Sequence, residues 1–280
     1  MKVEEFSEIV DRALAEDLAD RGDITSRSVI PESAVSRANI VARSAGIIAG
    51  LEVARNVFAR VDPMVEFDEL VSDGARVEAG SLAAAVAGPT RAILTAERTA
   101  LNLLGRISGV ATATAELVEA VEGTGARITD TRKTMPGLRV LDKYSVVAGG
   151  GVNHRMGLYD QVMIKDNHIV AAGDIESAVA AARESNGDQV RVIVEVEDLD
   201  QLALALKTSA DRVLLDNMSL DMLRKAVEMV GGRLETEASG GITVATVRAT
   251  AETGVDYISV GWITHSAPQL DVALDLLPAS

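Results

Sequence analysis

The feature that most constrains the fold of this chain is a series of six short apolar runs in its second half. Segments of helical length separate the runs, which is the pattern of successive βα units around a parallel sheet. The runs span residues 126–129, 161–164, 191–194, 212–215, 233–236 and 257–260. Six units are fewer than the eight of a closed α/β barrel, so the sequence predicts an open, incomplete barrel of about six parallel strands.

Polar or glycine residues follow each of these runs, and three of them carry a charge that capping does not explain. Lys165, Glu195 and Asp216 each come directly after a run. A charge at the end of a buried strand is costly unless it meets a partner or a ligand. Because the chemistry of α/β barrels gathers at the carboxyl ends of the strands, these residues predict one shared site.

The first hundred residues have a different pattern, which predicts a mixed α and β region. An amphipathic helix is predicted over residues 3–18 and extended segments over 38–48. Closely spaced turn residues predict small strands within 75–93, and a long helix is predicted over 95–121. The chain is therefore expected to have two domains of unequal size.

Composition excludes several classes of function. The net charge of −15 argues against binding to nucleic acid or to anionic lipid. No apolar run approaches the roughly 18 residues of a membrane span, and the first residues are acidic, so we expect a cytoplasmic protein. Without cysteine there is no thiolate metal site and no cysteine nucleophile, which leaves charged side chains, histidine and backbone groups for catalysis.

Positive charge is concentrated in one stretch of this acidic chain. Residues 127–168 hold seven basic and four acidic residues, together with His154 and His168. Such a focus suits a small polyanionic substrate, because arginine can grip a carboxylate with two hydrogen bonds and lysine offers a compact charge for phosphate. Arg139 and Lys143, four residues apart on a predicted helix, are expected instead to face solvent.

A glycine cluster late in the chain predicts a phosphate site. Ser239, Gly240 and Gly241 follow the fifth run, and Gly261 follows the sixth. Late βα turns of α/β barrels commonly bind phosphate through backbone N–H groups and a helix N-terminus. His265, one turn beyond Gly261, is a further candidate donor.

Longer motifs in fixed order resemble the quinolinate phosphoribosyltransferase family, and the likeness covers nearly the whole chain. They are EDL (16–18), GDITS (22–26), ERTALN (97–102), TDTRKTMPGLR (129–139), KY (143–144), GGGVNHR (149–155), IKDNH (164–168), EVE (195–197), LDN (215–217), EASGG (237–241) and GVDYISVG (254–261). The resemblance implies an N-terminal α/β sandwich domain over residues 1–108 and an open α/β barrel over 109–269, with residues 270–280 returning to the first domain.

The resemblance also implies an activity and roles for individual residues. The expected reaction joins quinolinate to the phosphoribosyl group of phosphoribosyl pyrophosphate, with loss of pyrophosphate and CO2, in NAD synthesis. The residues expected around the quinolinate carboxylates are Arg98, Arg132, His154, Arg155 and Lys165. Lys133 is expected where the two substrates meet, and the expected catalytic residues are Lys133, Lys165, Glu195 and Asp216.

For the second substrate, the resemblance implies that Glu195 and Asp216 hold the ribose hydroxyls and a Mg²⁺ ion that accompanies the substrate. It implies that Ser239, Gly240, Gly241 and Gly261 form the cradle for the 5-phosphate. A homo-oligomer, at least a dimer with shared active sites, is expected, with Arg98 reaching the site of the partner subunit.

Two alternatives stay open at this point. One is a phosphoribosyltransferase that takes nicotinate and releases no CO2, which the surplus of cationic residues disfavours. The other is an accessory protein of molybdate transport with a related sequence. A pocket for one oxyanion would not need both Glu195 and Asp216, so we prefer the enzyme.

Overall fold

The computed structural model describes residues 2–278, which form two compact units. The first unit is drawn from the chain up to residue 115, residues 134–150 and the chain from 264 onward. The second unit comprises residues 116–133 and 151–263. The domain boundary expected after residue 108 stays a prediction.

The described residues form α-helices and strands in this order along the chain. The helices are α1 (Ser7–Leu18), α2 (Ile24–Val29), α3 (Leu51–Val61), α4 (Thr90–Ala120), α5 (Arg139–Ala148), α6 (Asp166–Ala172), α7 (Ile175–Asn186), α8 (Leu199–Ala205), α9 (Leu220–Val230), α10 (Val244–Ala251) and α11 (Trp262–His265). The strands are β1 (Val35–Ala42), β2 (Gly46–Ile47), β3 (Glu66–Glu69), β4 (Arg76–Val77), β5 (Leu82–Pro89), β6 (Arg127–Thr129), β7 (Val162–Ile164), β8 (Val192–Val196), β9 (Arg212–Asp216), β10 (Glu235–Ser239), β11 (Tyr257–Ser259) and β12 (Val272–Leu276). A 3-10 turn, Val3–Glu5, precedes α1.

The first unit contains an antiparallel sheet with the strand order β12-β1-β5-β3. Helix α3 buries an apolar face that includes Leu51, Val57 and Phe58, as the 3.6-residue period requires. These side chains belong to one continuous apolar core with residues of β1, β5 and α4. The mixed α and β region predicted for the first hundred residues is therefore confirmed.

The long helix α4 begins five residues earlier than the sequence predicted, directly after β5. Two of its glycines allow the chain near the C-terminus to pass close to the helix. A Cβ atom at Gly105 would lie 2.9 Å from the carbonyl oxygen of Leu270, and one at Gly109 would lie 2.1 Å from that of Pro268. Any larger residue at Gly109 would therefore displace the segment that leads into β12.

The second unit contains a six-stranded sheet with the order β6-β11-β10-β9-β8-β7, and every pair in it is parallel. Helices follow the strands in sequence, so the predicted α/β class with about six parallel strands is confirmed. Parallel strands place all their carboxyl ends at one edge of the sheet. The residues that follow the six apolar runs are thus brought to one edge.

Two strands extend at least two residues further toward the carboxyl end than the sequence predicted. The fifth run was assigned to residues 233–236, but β10 is Glu235–Ser239, and the third strand, β8, ends at Val196 rather than at 194. The prediction followed apolar character, whereas β10 carries Glu235, Glu237 and Ser239 on one face. Arg212 on the neighbouring strand β9 pairs with Glu235 and Glu237 and makes these charged residues tolerable inside the sheet.

The expectation that Arg139 and Lys143 face solvent was wrong. Lys143 on α5 is only 1% exposed, and Arg139 is half-buried, with its Nε donating to the Thr134 hydroxyl at 2.9 Å. Helix α5 also buries Asp142, which accepts a hydrogen bond from Arg106 at 2.7 Å. Four-residue spacing identified a shared helix face but not which way that face points.

Within residues 2–278, no helix has the combination of length and apolar character that a membrane crossing requires.

Candidate active site

The carboxyl edge of the parallel sheet collects most of the residues predicted for the site. Eleven of them belong to the second unit: Arg132, Lys133, His154, Arg155, Lys165, Glu195, Asp216, Ser239, Gly240, Gly241 and Gly261. Nine of these lie at or beyond the carboxyl end of a strand, whereas His154 and Arg155 lie in the segment before β7 that is bridged to the end of β6 through Val152 and Thr129. Arg98 and His265 belong to the first unit. Arg98 is exposed on α4 and has Glu97 as its nearest ion-pair partner, at 4.0 Å.

A direct ion pair joins Lys165, which follows β7, to Glu195, which is the last but one residue of the neighbouring strand β8. Lys165 is the residue before α6, and its backbone N–H donates to His168 Nδ1 at 3.0 Å. The Glu195 side chain is 14% exposed and that of Lys165 is 42% exposed. The ion pair compensates both charges. Because the Lys165 side chain is partly exposed, its ammonium group can still reach a ligand.

Asp216 lies beside Glu195 at the end of β9. Glu195 pairs in register with Leu214, and Asp216 is the next residue of β9 on the same face. Its carboxylate accepts a hydrogen bond from the Asn217 side chain at 2.7 Å. Two carboxylates on adjacent strand ends are the oxygen ligands that Mg²⁺ prefers when it arrives with a phosphate substrate. The described residues contain no group of three or more side chains that could cage a metal by themselves, so this donor set fits an ion brought by the substrate.

The turn after β10 is shaped by two glycines with left-handed backbone conformations. Gly240 has a φ of 104° and Gly241 a φ of 62°. A Cβ atom at Gly240 would lie 2.1 Å from the side-chain oxygen of Asn217. The turn leads into α10, so glycine N–H groups and a helix N-terminus are available to an anion. Trp262 holds the far side of the turn by donating from Nε1 to the Ile242 carbonyl at 3.1 Å.

Two arginines at this edge influence each other. Arg155 is 8% exposed, and its Nη1 donates to the Gln161 carbonyl at 3.2 Å. Burial lowers the pKa of Arg155, the positive charge of Arg132 lowers it further, and Asp160 opposes both effects. Two guanidinium groups that influence each other electrostatically favour an anion with more than one negative charge.

Two hydrogen bonds fix His154, and the carboxylate of Glu237 lies near its ring. Its backbone N–H donates to Asp130 Oδ1 at 2.8 Å, and its ring Nδ1 accepts a hydrogen bond from the Arg155 backbone N–H at 2.7 Å. Its ring Nε2 lies 3.5 Å from Glu237 Oε2. Because Nδ1 accepts, the neutral ring carries its proton on Nε2, which faces the carboxylate.

Glu237 is a residue to which the sequence analysis gave no role. It is fully buried in the middle of β10, and Arg212 donates from Nη1 to its carboxylate at 2.9 Å. Burial alone would raise the pKa of Glu237, but its neighbours His154 and Arg212 together lower it. The alternation of Glu235, Glu237 and Ser239 with apolar or small residues was the signal that could have placed Glu237 on the inner face of a strand.

Comparisons with known proteins identify the family of this chain. Family models for quinolinate phosphoribosyl transferase match residues 23–108 with the N-terminal domain and residues 110–275 with the C-terminal domain. The chain is 44% identical over 270 residues to the nicotinate-nucleotide pyrophosphorylase (carboxylating) of Mycobacterium leprae, with 95% of each chain covered. It is 44% identical over 255 residues to the probable enzyme of that name from Bacillus subtilis, covering 91% of this chain and 88% of the relative.

Among solved structures, the chain is similar to the nicotinate-nucleotide pyrophosphorylase from Francisella tularensis. The TM-score is 0.95 at 39% sequence identity, and the match covers 99% of this chain and 98% of the other. The two family models together span most of the sequence and meet near residue 109. The chain belongs to the quinolinate phosphoribosyltransferase family.

Proposed function

We propose that this protein transfers the phosphoribosyl group of phosphoribosyl pyrophosphate to quinolinate, with release of pyrophosphate and CO2, and forms nicotinate mononucleotide for NAD synthesis. The observation that carries the proposal is that three kinds of residue lie at one edge of the sheet. They are a cationic group of side chains (Arg132, Arg155 and Lys165), the carboxylates of Glu195 and Asp216, and the glycine turn after β10. Each part matches one portion of the two substrates. Family membership and the names of the relatives support the same reaction.

The cationic group is suited to the two carboxylates of quinolinate. The positive charge of Arg132 contributes to lowering the pKa of Arg155, and a dianion bound by both guanidinium groups would compensate both charges. Lys165 supplies a third charge that Glu195 already orients. Two clamped carboxylates fix the pyridine ring, and this placement is what a modest ring-nitrogen nucleophile needs. His154 and Arg98 complete the predicted set for this substrate.

The carboxylates and the glycine turn are suited to phosphoribosyl pyrophosphate. Ser239, Gly240, Gly241 and Gly261 would hold the 5-phosphate, with His265 as a further predicted donor. Glu195 and Asp216 would hold the ribose hydroxyls and are the residues that would bind Mg²⁺. When bound, this ion stabilises the negative charge that develops on the pyrophosphate leaving group.

The reaction follows from these placements. The ring nitrogen of quinolinate forms a bond to C1 of the ribose while the bond from C1 to pyrophosphate oxygen breaks, and its electron pair leaves with pyrophosphate. Positive charge builds on the ribose in this step, which the carboxylates of Glu195 and Asp216 stabilise. In the resulting pyridinium, the bond between the carboxylate next to the nitrogen and its ring carbon breaks and CO2 leaves. The electron pair stays on that ring carbon, where the adjacent positive nitrogen stabilises it as an ylide, and the carbon then takes one proton from Lys133, Lys165 or water.

One assay separates this proposal from its alternatives. The purified protein is incubated with quinolinate, phosphoribosyl pyrophosphate and Mg²⁺, and formation of nicotinate mononucleotide and CO2 is followed. Nicotinate in place of quinolinate is the control and should give little product. Product from nicotinate without CO2, or molybdate binding with no product from either acid, would favour the other two functions. The comparisons support neither of them.

We further propose that the active form is at least a dimer in which Arg98 serves the partner's site. Arg98 is exposed on α4, and its contact with Glu97 is long. Arg98→Ala and Lys133→Ala chains should each be inactive. After exchange of subunits, random pairing makes about half the dimers mixed, each with one intact site, so activity should return to roughly a quarter of wild type. Verified exchange without recovery would contradict shared sites. The cytoplasmic location stays a prediction from the sequence.

A further inference from the structure

We propose that Glu237 is a positioning residue for the proposed reaction: through the ring of His154 it fixes the peptide that carries Arg155, and Arg212 holds Glu237 for this task. The inference rests on the proposed function, because it assigns Arg155 to quinolinate. In this proposal His154 transmits the restraint from Glu237 to the backbone of Arg155.

The contacts form one continuous line inside the second unit. Arg212 Nη1 donates to Glu237 Oε2 at 2.9 Å, and the same Oε2 lies 3.5 Å from His154 Nε2. On the opposite side of the ring, His154 Nδ1 accepts from the Arg155 backbone N–H at 2.7 Å. Both ring nitrogens of His154 are therefore directed at protein groups, and the ring joins a buried carboxylate to the backbone of a site residue.

Burial of the charged side chains of Glu237 and Arg212 costs desolvation free energy, so protein stability alone does not explain these contacts. Glu237 is 0% exposed and Arg212 is 7% exposed. Among the described residues, no hydrogen-bond partner reaches the second carboxylate oxygen, Oε1, although it is buried. A buried carboxylate with an unsatisfied oxygen is a poor stabiliser compared with an apolar side chain of similar volume. What a carboxylate gives here, and an apolar residue would not, is a negative charge 3.5 Å from His154 Nε2, which favours the tautomer that carries its proton on this nitrogen.

The neighbouring Glu235 shows what a structural partner of Arg212 looks like. It accepts from Arg212 Nη2 at 2.8 Å and from Nε at 3.0 Å, and it also pairs with Arg191. Arg212 further stacks over the ring of Tyr257, with its guanidinium carbon 3.7 Å from the ring centroid. Glu235 thus shares the arginine with Glu237, and the structure gives it no contact with His154. This makes it a matched control.

The test compares Glu237→Gln with Glu235→Gln in steady-state kinetics of the intact protein. Glu237→Gln should raise KM for quinolinate roughly tenfold and leave KM for phosphoribosyl pyrophosphate within about twofold. Glu235→Gln should lower the melting temperature and change neither KM selectively. If both variants alter both KM values alike, or if Glu237→Gln alters neither, Glu237 has no positioning role.

A double variant tests the route through His154. If Glu237 acts through the ring, His154→Ala and His154→Ala/Glu237→Gln should have the same KM for quinolinate, because the second change has nothing left to act on. Multiplying effects would overturn the proposal. If Glu237→Gln does not fold, Glu237→Asp replaces it in both comparisons, since it keeps the charge beside Arg212 but shortens the reach toward His154. A wild-type protein without quinolinate turnover would instead refute the proposed function itself.

Discussion

The two compact units bury charged side chains in different places. The first unit encloses a continuous core of apolar side chains, among them Phe6, Phe58 and Leu104, all fully buried. Its buried Asp142 and Lys143 both lie on helix α5. The second unit has apolar residues in its strands too, yet one face of its sheet buries Arg212 and Glu237. Apolar area removed from water stabilises the core of the first unit, whereas the buried charges of β9 and β10 cost desolvation energy. We infer that the charged pair of β9 and β10 is kept because it organises a site.

The largest effect on stability should come from the apolar interior. Phe58 is fully buried on α3, and its ring centroid lies 5.8 Å from that of Phe67. Phe58→Ala should lower the free energy of unfolding by about 3–5 kcal/mol, because it removes apolar contact and leaves a cavity. Chemical denaturation measures this loss. KM values measured on the folded fraction should not change, and a selective change in one of them would contradict a purely structural core.

The next effect concerns the site rather than stability. Arg155→Ala should weaken quinolinate binding by about 1.5–3 kcal/mol, because a charge-assisted contact is lost. Binding of phosphoribosyl pyrophosphate should be nearly unchanged, as titration calorimetry with each substrate would show. An equal loss for both substrates would mean that the two subsites are misassigned. Arg43→Ala, which removes an exposed ion pair with Asp275 in the first unit, is the control and should affect neither.

A smaller effect is expected from pH. The pKa of Glu237 is lowered in the folded state, since His154 and Arg212 outweigh the effect of burial. Its charged form therefore stabilises the protein above the unfolded carboxyl pKa, and that contribution is lost as the pH falls through the folded value. The melting-temperature difference between wild type and Glu237→Gln should shrink on acidification from neutral pH. A difference that grows on acidification would show the opposite sign of coupling.

Removal of divalent metal should have no effect on the stability of the substrate-free protein. Glu195 and Asp216 alone make a poor cage for a divalent ion, so the protein without substrate should not depend on metal for its fold. A chelator should stop turnover and leave the melting temperature of the substrate-free protein unchanged. A fall in melting temperature under the same conditions would indicate a structural ion.

Sequence predicted the second unit best where strands are apolar. The runs that became β6, β7, β9 and β11 were located within one residue, because buried apolar residues such as Ile128, Ile164 and Leu214 mark them. Strand β10 was misplaced, since its charged residues are stable in a strand only opposite Arg212, which pairs with Glu235 in register. Local sequence does not specify such a partner, and Glu237 was missed for that reason. Lys143 was misjudged similarly, because helix spacing alone does not say which face becomes buried.

The residues predicted for the site were located through motifs, and their arrangement required the fold. A parallel sheet brings Lys165, Glu195 and Asp216 to one edge, which the βα rhythm predicted. The ion pair between Lys165 and Glu195 and the restraint of His154 by Asp130 depend on side-chain directions that no spacing rule supplies. The roles of these residues stay predictions for mutagenesis.

The close approach of Gly240 to Asn217 limits which amino acids these two positions can accept during evolution. A side chain at Gly240 would collide with Asn217 and would also have to adopt a φ of 104°. Asn217 itself has a φ of 54°, and its N–H donates to the Ser239 carbonyl at 2.8 Å. A side chain at position 240 therefore requires a change at position 217 as well, so the sequences of the turns after β9 and β10 are coupled. Exchange between relatives should succeed only when both turns are transplanted together.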